Sequence, residues 1–558
     1  MSPAENVRQT YRRIREQGER PVWICVIPEE VSLARAEALG PPDPSLPLYG
    51  MTFAIKDNID LAGVPTTAGC PAYQYVPSKS ATVVRKLMQA GAIPVGKTNL
   101  DQFATGLVGT RSPYGACSSV FGARYISGGS SSGSAVAVAG GLVDFALGTD
   151  TAGSGRVPAS FNGIVGLKPT RGALSTTGVV PACRTLDCVS ILSADCSTAE
   201  RVLQAARGFD GDDAFSRATG QQKAWPARGF RFGVPADEHL KFFGDDSAAV
   251  LYREAVLRFE TMGGTAVAFD YGVFRDAADL LYAGPWVAER LAAIRDFAAV
   301  HPEELHPVTA RIILKAASLT AVDTFDAMYK LAALARAAEQ EWARMDFMLL
   351  PTAGAAYTHE EVAAEPIALN TNLGYYTNFV NLLDLAALAI PAGVRANGIP
   401  FGVTLIGPAW SDLALLHTGR STDPNACPAG YVPLAVCGAH LTGQPLNFQL
   451  KNAGAFLLEA CQTSTRYRLY ALRGTVPPKP GLVFSPEGGA AIDVEVWAVP
   501  ESTFGAFVAA IPPPLAIGTC TLAGGHQVKS FVCEPWALEG AEEITQLGGW
   551  RQFVTRPV

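Results

Sequence analysis

The stretch RYISGGSSSGSAVAVAGGLVDFALGTDTAGSGRVPASFNGIVGLKPTRG, residues 124–172, determines how the larger part of this chain folds. Two clusters of glycine and serine, GGSSSGS at 128–134 and TDTAGSGR at 149–156, flank the apolar run AVAVAGGLVDFALG. Serine hydroxyls and free N–H groups beside glycines are the usual material of an anion hole. The apolar run predicts a buried helix and then a short strand, which would bring Ser154 back to face Ser130. A Gly/Ser-rich linker is the alternative, but linkers do not carry such apolar runs.

Upstream of this stretch, Lys56 stands at the end of the apolar segment FAI in GMTFAIKDNID. The segment predicts a short strand with the lysine at its end. A lysine held among apolar groups loses hydration, which lowers its pKa and lets it act as a base. From the residues alone, a surface lysine paired with Asp57 is an equally good interpretation.

The stretch 124–172 resembles the amidase signature, and the Lys56 segment is similar to the other motif of that family. The resemblance covers roughly residues 20–410 and includes the spacing of the two serines and the flanking GLKPTRG. It implies a relay in which Lys56 is a neutral base, Ser130 a bridging serine after a cis peptide bond, and Ser154 the nucleophile. It also implies an oxyanion hole made by the backbone N–H groups of Thr151, Ala152, Gly153 and Ser154.

Two other segments match known sequence motifs, but the secondary structure predicted around them does not fit those motifs. GAIPVGKT at 91–98 fits the phosphate loop GxxxxGK[ST], yet TVVRKLMQA before it predicts a helix and IPVGK a strand, the reverse of what that loop needs. GSSSG at 129–133 fits the nucleophile elbow of α/β-hydrolases, centred on Ser131. The elbow needs an apolar strand before it and a histidine late in the domain, and none of the seven histidines has that context. We interpret both as chance matches.

Composition limits the class of function. A net charge of −7 argues against a nucleic-acid partner, and 48% hydrophobic residues allow a large core. Eleven scattered cysteines without a paired framework predict reduced thiols. The polar N-terminus and the lack of a long apolar run predict a cytoplasmic protein with no membrane partner. We find no metal cluster and no cofactor fingerprint, so we expect neither a metal nor a cofactor.

The order of elements predicts an α/β protein of two domains. Residues 1–420 would form a large amidase-signature domain, in which helices cover a mixed central sheet. Residues 421–431, STDPNACPAGY, are a linker by composition. Short alternating strands between Gly/Pro turns then predict a small β-rich α+β domain at 432–558, barrel-like and resembling the gamma-glutamylcyclotransferase fold. Long apolar helices within 246–345 favour a homodimer.

The segment YAGPWVAERLAAI, residues 282–294, carries a candidate substrate clamp. Tyr282 and Arg290 would lie on one side of a continuous helix, unless the helix begins only at Pro285. Arginine suits a planar carboxylate because its fork donates two parallel hydrogen bonds. No acidic residue stands three or four positions from Arg290, although a partner from elsewhere in the fold stays an alternative.

This segment and VCGAHLTGQPLNFQL at 436–450 resemble the allophanate hydrolases, a branch of the same family. The resemblance implies that Tyr282 and Arg290 hold the substrate, allophanate, which is urea with a carboxylate on one nitrogen. It implies hydrolysis to ammonia and carbon dioxide through N-carboxycarbamate, and a pathway link to urea carboxylase. The small domain would promote the second stage, with His440 as its candidate acid/base, although a lone histidine near a strand end is more often structural.

Three other functions stay open at this point. A broader amidase of the same family, acting on another small amide, would share the relay but lack a carboxylate clamp. A glutamine-using transamidase subunit would pass ammonia to a partner. A binding module without activity is the third, and the intact set of Lys56, Ser130 and Ser154 argues against it.

Overall fold

The computed structural model describes residues 2–422, 431–523 and 527–556. By its contacts the chain divides into two compact units, Met1–Gly419 and Arg420–Val558. The predicted linker, 421–431, falls mainly on residues 423–430, which lie outside the described residues. The linker therefore stays a prediction.

The first unit is built on a mixed sheet. Its strands are β1 (Trp23–Val26), β2 (Thr52–Lys56), β3 (Ile93–Thr98), β4 (Ser118–Ser119), β5 (Gly122–Ile126), β6 (Phe145–Asp150), β7 (Val165–Lys168), β8 (Cys188–Ser193), β9 (Arg231–Pro235), β10 (Thr265–Phe269), β11 (Phe347–Pro351), β12 (Leu385–Val394) and β13 (Pro400–Pro408). Eleven of them form one sheet in the order β1-β3-β2-β6-β8-β7-β12-β13-β11-β9-β10, and β4 and β5 form a separate ribbon. The predicted mixed sheet is confirmed.

Helices cover both faces of this sheet. They are α1 (Pro3–Gln17), α2 (Glu29–Ala38), α3 (Thr82–Gln89), α4 (Ser132–Ala139), α5 (Arg156–Phe161), α6 (Cys196–Ala206), α7 (Asp246–Thr261), α8 (Gly272–Tyr282), α9 (Trp286–Val300), α10 (Pro307–Ile313), α11 (Ala321–Trp342), α12 (His359–Ala364), α13 (Ala368–Gly374), α14 (Phe379–Leu382) and α15 (Asp412–Ser421). Successive residues of a strand point to opposite faces. Accordingly, Phe53 and Ile55 of β2 pack in one core with α3, α6 and α7, whereas Ala54 packs in another with α1 and α4.

The local elements predicted around the motifs are confirmed. FAIK is strand β2, IPVGKT is strand β3 after helix α3, and the apolar run after Ser131 is helix α4 followed by strand β6. Because α3 precedes β3, the GAIPVGKT segment has no strand before its first glycine and no phosphate-loop geometry.

The helix predicted over 282–294 is not continuous. Helix α8 ends at Tyr282 and helix α9 begins at Trp286, with Pro285 as its N-cap residue. The missing N–H of a proline is tolerated at a helix start but not in a helix interior. Tyr282 and Arg290 therefore belong to two helices, which is the alternative that Pro285 indicated, and they do not share one helix face.

The second unit is rich in strands, as predicted. Its elements are β14 (Tyr431–Val436), α16 (Asn447–Asn452), β15 (Phe456–Gln462), β16 (Tyr467–Ala471), β17 (Pro480–Phe484), β18 (Asp493–Pro500), α17 (Glu501–Ala509), β19 (Leu515–Thr521), β20 (Gln527–Cys533), β21 (Glu542–Glu543) and α18 (Trp550–Val554). The strands form a five-stranded sheet, β15-β18-β14-β20-β19, and a three-stranded sheet, β17-β16-β21. They enclose a core of their own, which includes Trp497 and Trp550.

Within the described ranges, none of the helices combines the length and apolar character that crossing a lipid bilayer would require.

Candidate active site

Two neighbouring parallel strands bring the lysine and the second Gly/Ser cluster together. Strand β2 runs parallel to β6, with Ile55 opposite Leu147. Because parallel strands end at the same edge of a sheet, Lys56 at the end of β2 lies beside Thr149 near the end of β6. The nucleophile candidate, Ser154, follows in the turn after β6.

Lys56 is fully buried and lies between two hydroxyl groups. Its Nζ atom is 2.7 Å from Ser130 Oγ and 2.7 Å from Thr149 Oγ1. Burial lowers the pKa of Lys56 to about 7, although the surrounding carboxylates, Asp101 first among them, act to raise it. Asp57 is not its partner, because that carboxylate pairs with the buried Lys97 at 2.8 Å. The amine therefore meets the two requirements of a general base, contact with a hydroxyl and a pKa near neutrality.

The two serine clusters lie next to each other, but the hydroxyl groups of Ser130 and Ser154 do not form a hydrogen bond with each other. The Gly129–Ser130 peptide bond is cis, and the next residue, Ser131, donates its backbone N–H to the carbonyl oxygen of Ser154 at 3.2 Å. The Ser154 hydroxyl donates instead to the carbonyl oxygen of Gly106, at 3.4 Å. The structure therefore brings Lys56 and Ser130 into contact and places Ser154 beside them with its hydroxyl turned to another acceptor.

The turn that carries Ser154 is held by a buried ion pair. Asp150 and Arg156 form two hydrogen bonds of 2.9 Å, and both side chains are fully buried. Burial alone would raise the pKa of Asp150, but the charge and hydrogen bonds of Arg156 outweigh it and hold that pKa below its usual value. The carboxylate also accepts the N–H groups of Gly153 at 2.9 Å and Gly155 at 3.1 Å.

One of the four N–H groups predicted to bind an oxyanion is therefore already occupied. The N–H of Gly153 donates to Asp150, whereas the N–H groups of Thr151, Ala152 and Ser154 have no acceptor in the described part of the chain. The prediction for Gly153 does not hold in this conformation, because its N–H closes the turn instead of facing outward.

Arg290 is buried, and no carboxylate of the described residues forms an ion pair with it. Its guanidinium donates to three neutral groups in the described part of the chain, namely Ala104 O at 3.4 Å, Thr105 Oγ1 at 3.1 Å and the Tyr282 hydroxyl at 3.4 Å. It also lies over the Tyr282 ring, 5.3 Å from the centroid. Among the described residues, no hydrogen-bond partner meets its Nε atom. The charges of Asp187 and Glu289 act on Arg290 without forming an ion pair with it, and a buried charge that is not paired is costly unless a ligand supplies a partner.

The segment 104–106 lies between Arg290 of the candidate clamp and the nucleophile candidate Ser154. Thr105 and Ala104 accept from Arg290, and the next residue, Gly106, accepts from Ser154. Ala104 has a φ of 51°, in the left-handed region that residues other than glycine rarely adopt, and such strain collects at functional sites. The clamp and the nucleophile therefore face one short loop.

His440, the candidate in the second unit, lines a cavity of about 450 Å³. Its Nε2 atom lies 2.9 Å from Gln449 Oε1, and its ring stacks on Phe531 with centroids 4.9 Å apart. Burial lowers the pKa of His440, so the neutral ring is favoured near neutral pH. Lys479 lines the same cavity and lowers that pKa further.

Several residues that shape the site were not predicted. Thr149 contacts the lysine, Asn58 donates to Thr149 at 3.3 Å, and Asp187 accepts from the Thr151 hydroxyl at 2.5 Å. Thr149 belongs to the cluster TDTAGSGR quoted above. Since β6 runs parallel to β2, its position near the end of β6 could have predicted a contact with Lys56. Nothing local marks Asp187, because its role comes from the pairing of β8 with β6.

Comparison with known proteins agrees with the order of the two units. The model of the Amidase family matches residues 5–416, and that of the allophanate hydrolase C-terminal domain matches residues 432–555. The urea amidolyase of Lachancea kluyveri is 43% identical over 96% of this chain. The chain spans only 31% of that relative's length.

Two further relatives cover different shares of the chain. Selenomethionine-substituted Kluyveromyces lactis allophanate hydrolase matches 99% of this chain and 97% of its own, with 41% identity and a TM-score of 0.73. One component of the glutamyl-tRNA(Gln) amidotransferase of Streptococcus thermophilus is 33% identical over 74% of this chain and 90% of its own length. The second similarity is confined to part of the chain, whereas the first extends over nearly all of it.

Proposed function

Because this chain belongs to the amidase family, we propose that it hydrolyses allophanate to ammonia and carbon dioxide. The observation that carries the proposal is Arg290, a buried guanidinium whose hydrogen-bond acceptors among the described residues are all neutral and which faces the loop to which Ser154 donates. A small planar anion would supply the missing negative charge. The carboxylate of allophanate would bind Arg290, and the Tyr282 hydroxyl would add a hydrogen bond.

The relay would then activate the nucleophile. The neutral amine of Lys56 takes the proton of Ser130 as Ser130 takes the proton of Ser154, so that Ser154 attacks the terminal amide carbon. Ser154 Oγ must leave Gly106 and turn to Ser130 for this step. Free N–H groups at Thr151, Ala152 and Ser154 support an oxyanion hole, in which each donor contributes roughly 3–4 kcal/mol to the transition state.

Release of the two products follows from the same groups. Ser130 returns a proton to the departing nitrogen, which leaves as ammonia, and water then releases the acyl group as N-carboxycarbamate. This product loses carbon dioxide and yields the second ammonia. The cavity of His440 supports a role for the second unit in that later stage, because a neutral buried imidazole can accept and donate a proton.

We also propose a pathway link to a urea carboxylase that makes allophanate, a cytoplasmic location and a homodimer. The similarity to urea amidolyases supports the link. A stripe of exposed apolar side chains on α11 supports the dimer, because such patches favour contacts between chains. The stripe consists of Val322, Phe325, Met328 and Tyr329.

The test is ammonia release from allophanate by the wild-type chain, by Ser154→Ala and by Arg290→Ala. Removing the nucleophile should lower turnover by about 10⁴-fold or more. Removing the clamp should lower kcat/KM by about 10³-fold, since it deletes a desolvated charge partner of the substrate. Arg295→Ala is the matched control, because Arg295 lies on the same helix with its side chain 76% exposed, and we expect it to keep wild-type turnover.

Hydrolysis of neutral aliphatic amides at a rate that Arg290→Ala leaves unchanged would contradict the allophanate assignment and favour a broader amidase. Turnover only with an added partner protein would favour a transamidase subunit.

A further inference from the structure

The turn after β6, which offers the free N–H groups, begins beside strand β8. That strand contributes none of the relay residues Lys56, Ser130 and Ser154. Strands β6 and β8 are antiparallel neighbours, and Asp150, the last residue of β6, pairs with Cys188, the first residue of β8. One step further along the ladder, Thr151 therefore stands opposite Asp187. Thr151 begins the turn that offers the free N–H groups, so its position affects all of them.

The Asp187 carboxylate accepts hydrogen bonds both from Thr151 and from the loop that precedes Asp187 itself. Its Oδ1 atom accepts the Thr151 hydroxyl at 2.5 Å and the N–H of Cys183 at 3.1 Å, and its Oδ2 atom accepts the N–H of Ala182 at 2.8 Å. Asp187 is 5% exposed. All three partners are donors, so the contacts fit the ionised carboxylate, which can only accept.

A second buried side chain joins the same two segments. The Asn381 amide donates to Asp150 O at 2.7 Å and to Leu186 O at 2.9 Å, the carbonyl groups just before Thr151 and Asp187. The backbone just before each of these two residues is therefore held by Asn381, and the side-chain bond between Thr151 and Asp187 sets how the turn continues.

Asp187 forms no ion pair within the described residues, but other charged groups of the site act on it. Burial raises the pKa of Asp187 above its usual value, and its three donors and the charge of Arg290 offset only part of that rise. Asp187 in turn acts with Asp101 and Asp150 to raise the pKa of Lys56, and Arg290 acts to lower it. The Asp187 charge therefore interacts with both Arg290 of the proposed clamp and Lys56, the proposed base.

We propose that Asp187 is a positioning residue for this reaction: through the Thr151 hydroxyl it aims the free N–H groups of Thr151 and Ala152 at the oxyanion. The inference rests on the proposed amide hydrolysis for the reaction that it serves. It assigns no contact between Asp187 and the substrate.

The test compares variants that remove each side of the contact. Thr151→Val keeps the shape of Thr151 and removes its hydroxyl, and we expect kcat to fall about 10²-fold with KM nearly unchanged, because an oxyanion donor acts mainly in the transition state. Thr151→Ser keeps the hydroxyl and should stay within about threefold of wild type. The double variant combines Thr151→Val with Asp187→Asn. Its loss in kcat should exceed that of the less active single variant by no more than about threefold, because both substitutions break the same hydrogen bond.

A pH profile separates positioning from mere support of the fold. Asp187→Asn removes a negative charge that raises the pKa of Lys56, so the acid limb of kcat/KM should move to lower pH. Thr151→Val changes no charge and should leave that limb in place. If both variants only lowered the melting temperature, with kcat unchanged, the proposal would be overturned.

The rate at which a fluorophosphonate probe labels Ser154 gives a readout that needs no allophanate. Phosphonylation also builds negative charge on an oxygen beside the serine, so Thr151→Val should slow it in proportion to the loss in kcat. If wild type is labelled but does not turn over allophanate, the substrate assignment fails while the positioning test still stands. Equal labelling rates for wild type and Thr151→Val would overturn the inference, as would multiplicative losses in the double variant.

Discussion

At the scale of the residue, burial determines the protonation state of Lys56. A charged amine without water is disfavoured, and the two hydroxyls that contact Lys56 do not replace its hydration shell. Asp101, Asp150 and Asp187 offset part of this effect, and the resulting pKa is about 7. The same surroundings that destabilise the charged lysine therefore make it a base at neutral pH.

This pKa sets the direction of the pH dependence. In the proposed relay the neutral amine is the active form, so kcat/KM should rise about tenfold per pH unit below about pH 7 and level off above it. Initial rates of ammonia release across pH 5 to 9 on wild-type protein measure the limb. Lys56→Arg, which stays charged throughout this range, should be inactive at every pH. A limb centred far above pH 8 would mean that the lysine is not desolvated in the working enzyme.

At the scale of the element, the break between α8 and α9 places the clamp. Tyr282 is the last residue of α8 and Arg290 lies in the second turn of α9, and the turn between them lets the phenol approach the guanidinium at 3.4 Å. Gly284 makes this turn close, because a Cβ atom there would overlap the carbonyl oxygen of Leu280. Backbone packing, and not helix periodicity, therefore brings the two side chains together.

Gly284→Ala should disturb the clamp without touching the relay. The added methyl group pushes the end of α8 away, at a cost of about 1–3 kcal/mol, and should raise KM for allophanate about tenfold with a smaller change in kcat. Steady-state kinetics measure the effect. Gly211→Ala is the matched control, because a Cβ there would be no closer than 3.9 Å to a neighbouring atom. Unchanged KM in Gly284→Ala would show that Tyr282 does not take part in binding.

At the scale of the whole molecule, the chain has two compact units with separate cores and separate candidate sites. The residues of the proposed relay and clamp lie in Met1–Gly419, and the His440 cavity lies in Arg420–Val558. Two units suit the two stages of the proposed reaction, because amide hydrolysis would need a nucleophile whereas the loss of carbon dioxide would need proton transfer and a desolvated pocket. The second stage should therefore depend on groups that the first stage does not need.

His440→Asn should separate the two stages. The first ammonia should appear at the wild-type rate, whereas carbon dioxide and the second ammonia should be released about tenfold or more slowly. Loss of one general acid/base costs at least about 10²-fold in rate. Spontaneous breakdown of the intermediate reduces the observed difference. Ammonia and carbon dioxide measured together over the first turnovers give the result. His301→Asn, a change in an exposed side chain, is the control. If both products keep their wild-type rates, His440 is structural.

The sequence by itself determined the parts of the site that depend on neighbours along the chain. The strand that ends in Lys56, the helix and strand between the two serine clusters, and the tight turn around Ser154 all follow from short patterns of apolar residues, glycine and serine. These patterns act locally, because φ preferences and strand or helix periodicity involve only a few residues.

Only the tertiary structure determined which of these parts touch. The occupied N–H of Gly153, the Ser154 hydroxyl turned to Gly106 and the Asp187 contact with Thr151 depend on strand order and register between distant segments. The break before Trp286 shows the same limit, since a proline can either begin a helix or bend one. Side-chain contacts between remote segments are fixed by how the sheet and its helices pack, and local pattern does not contain that information.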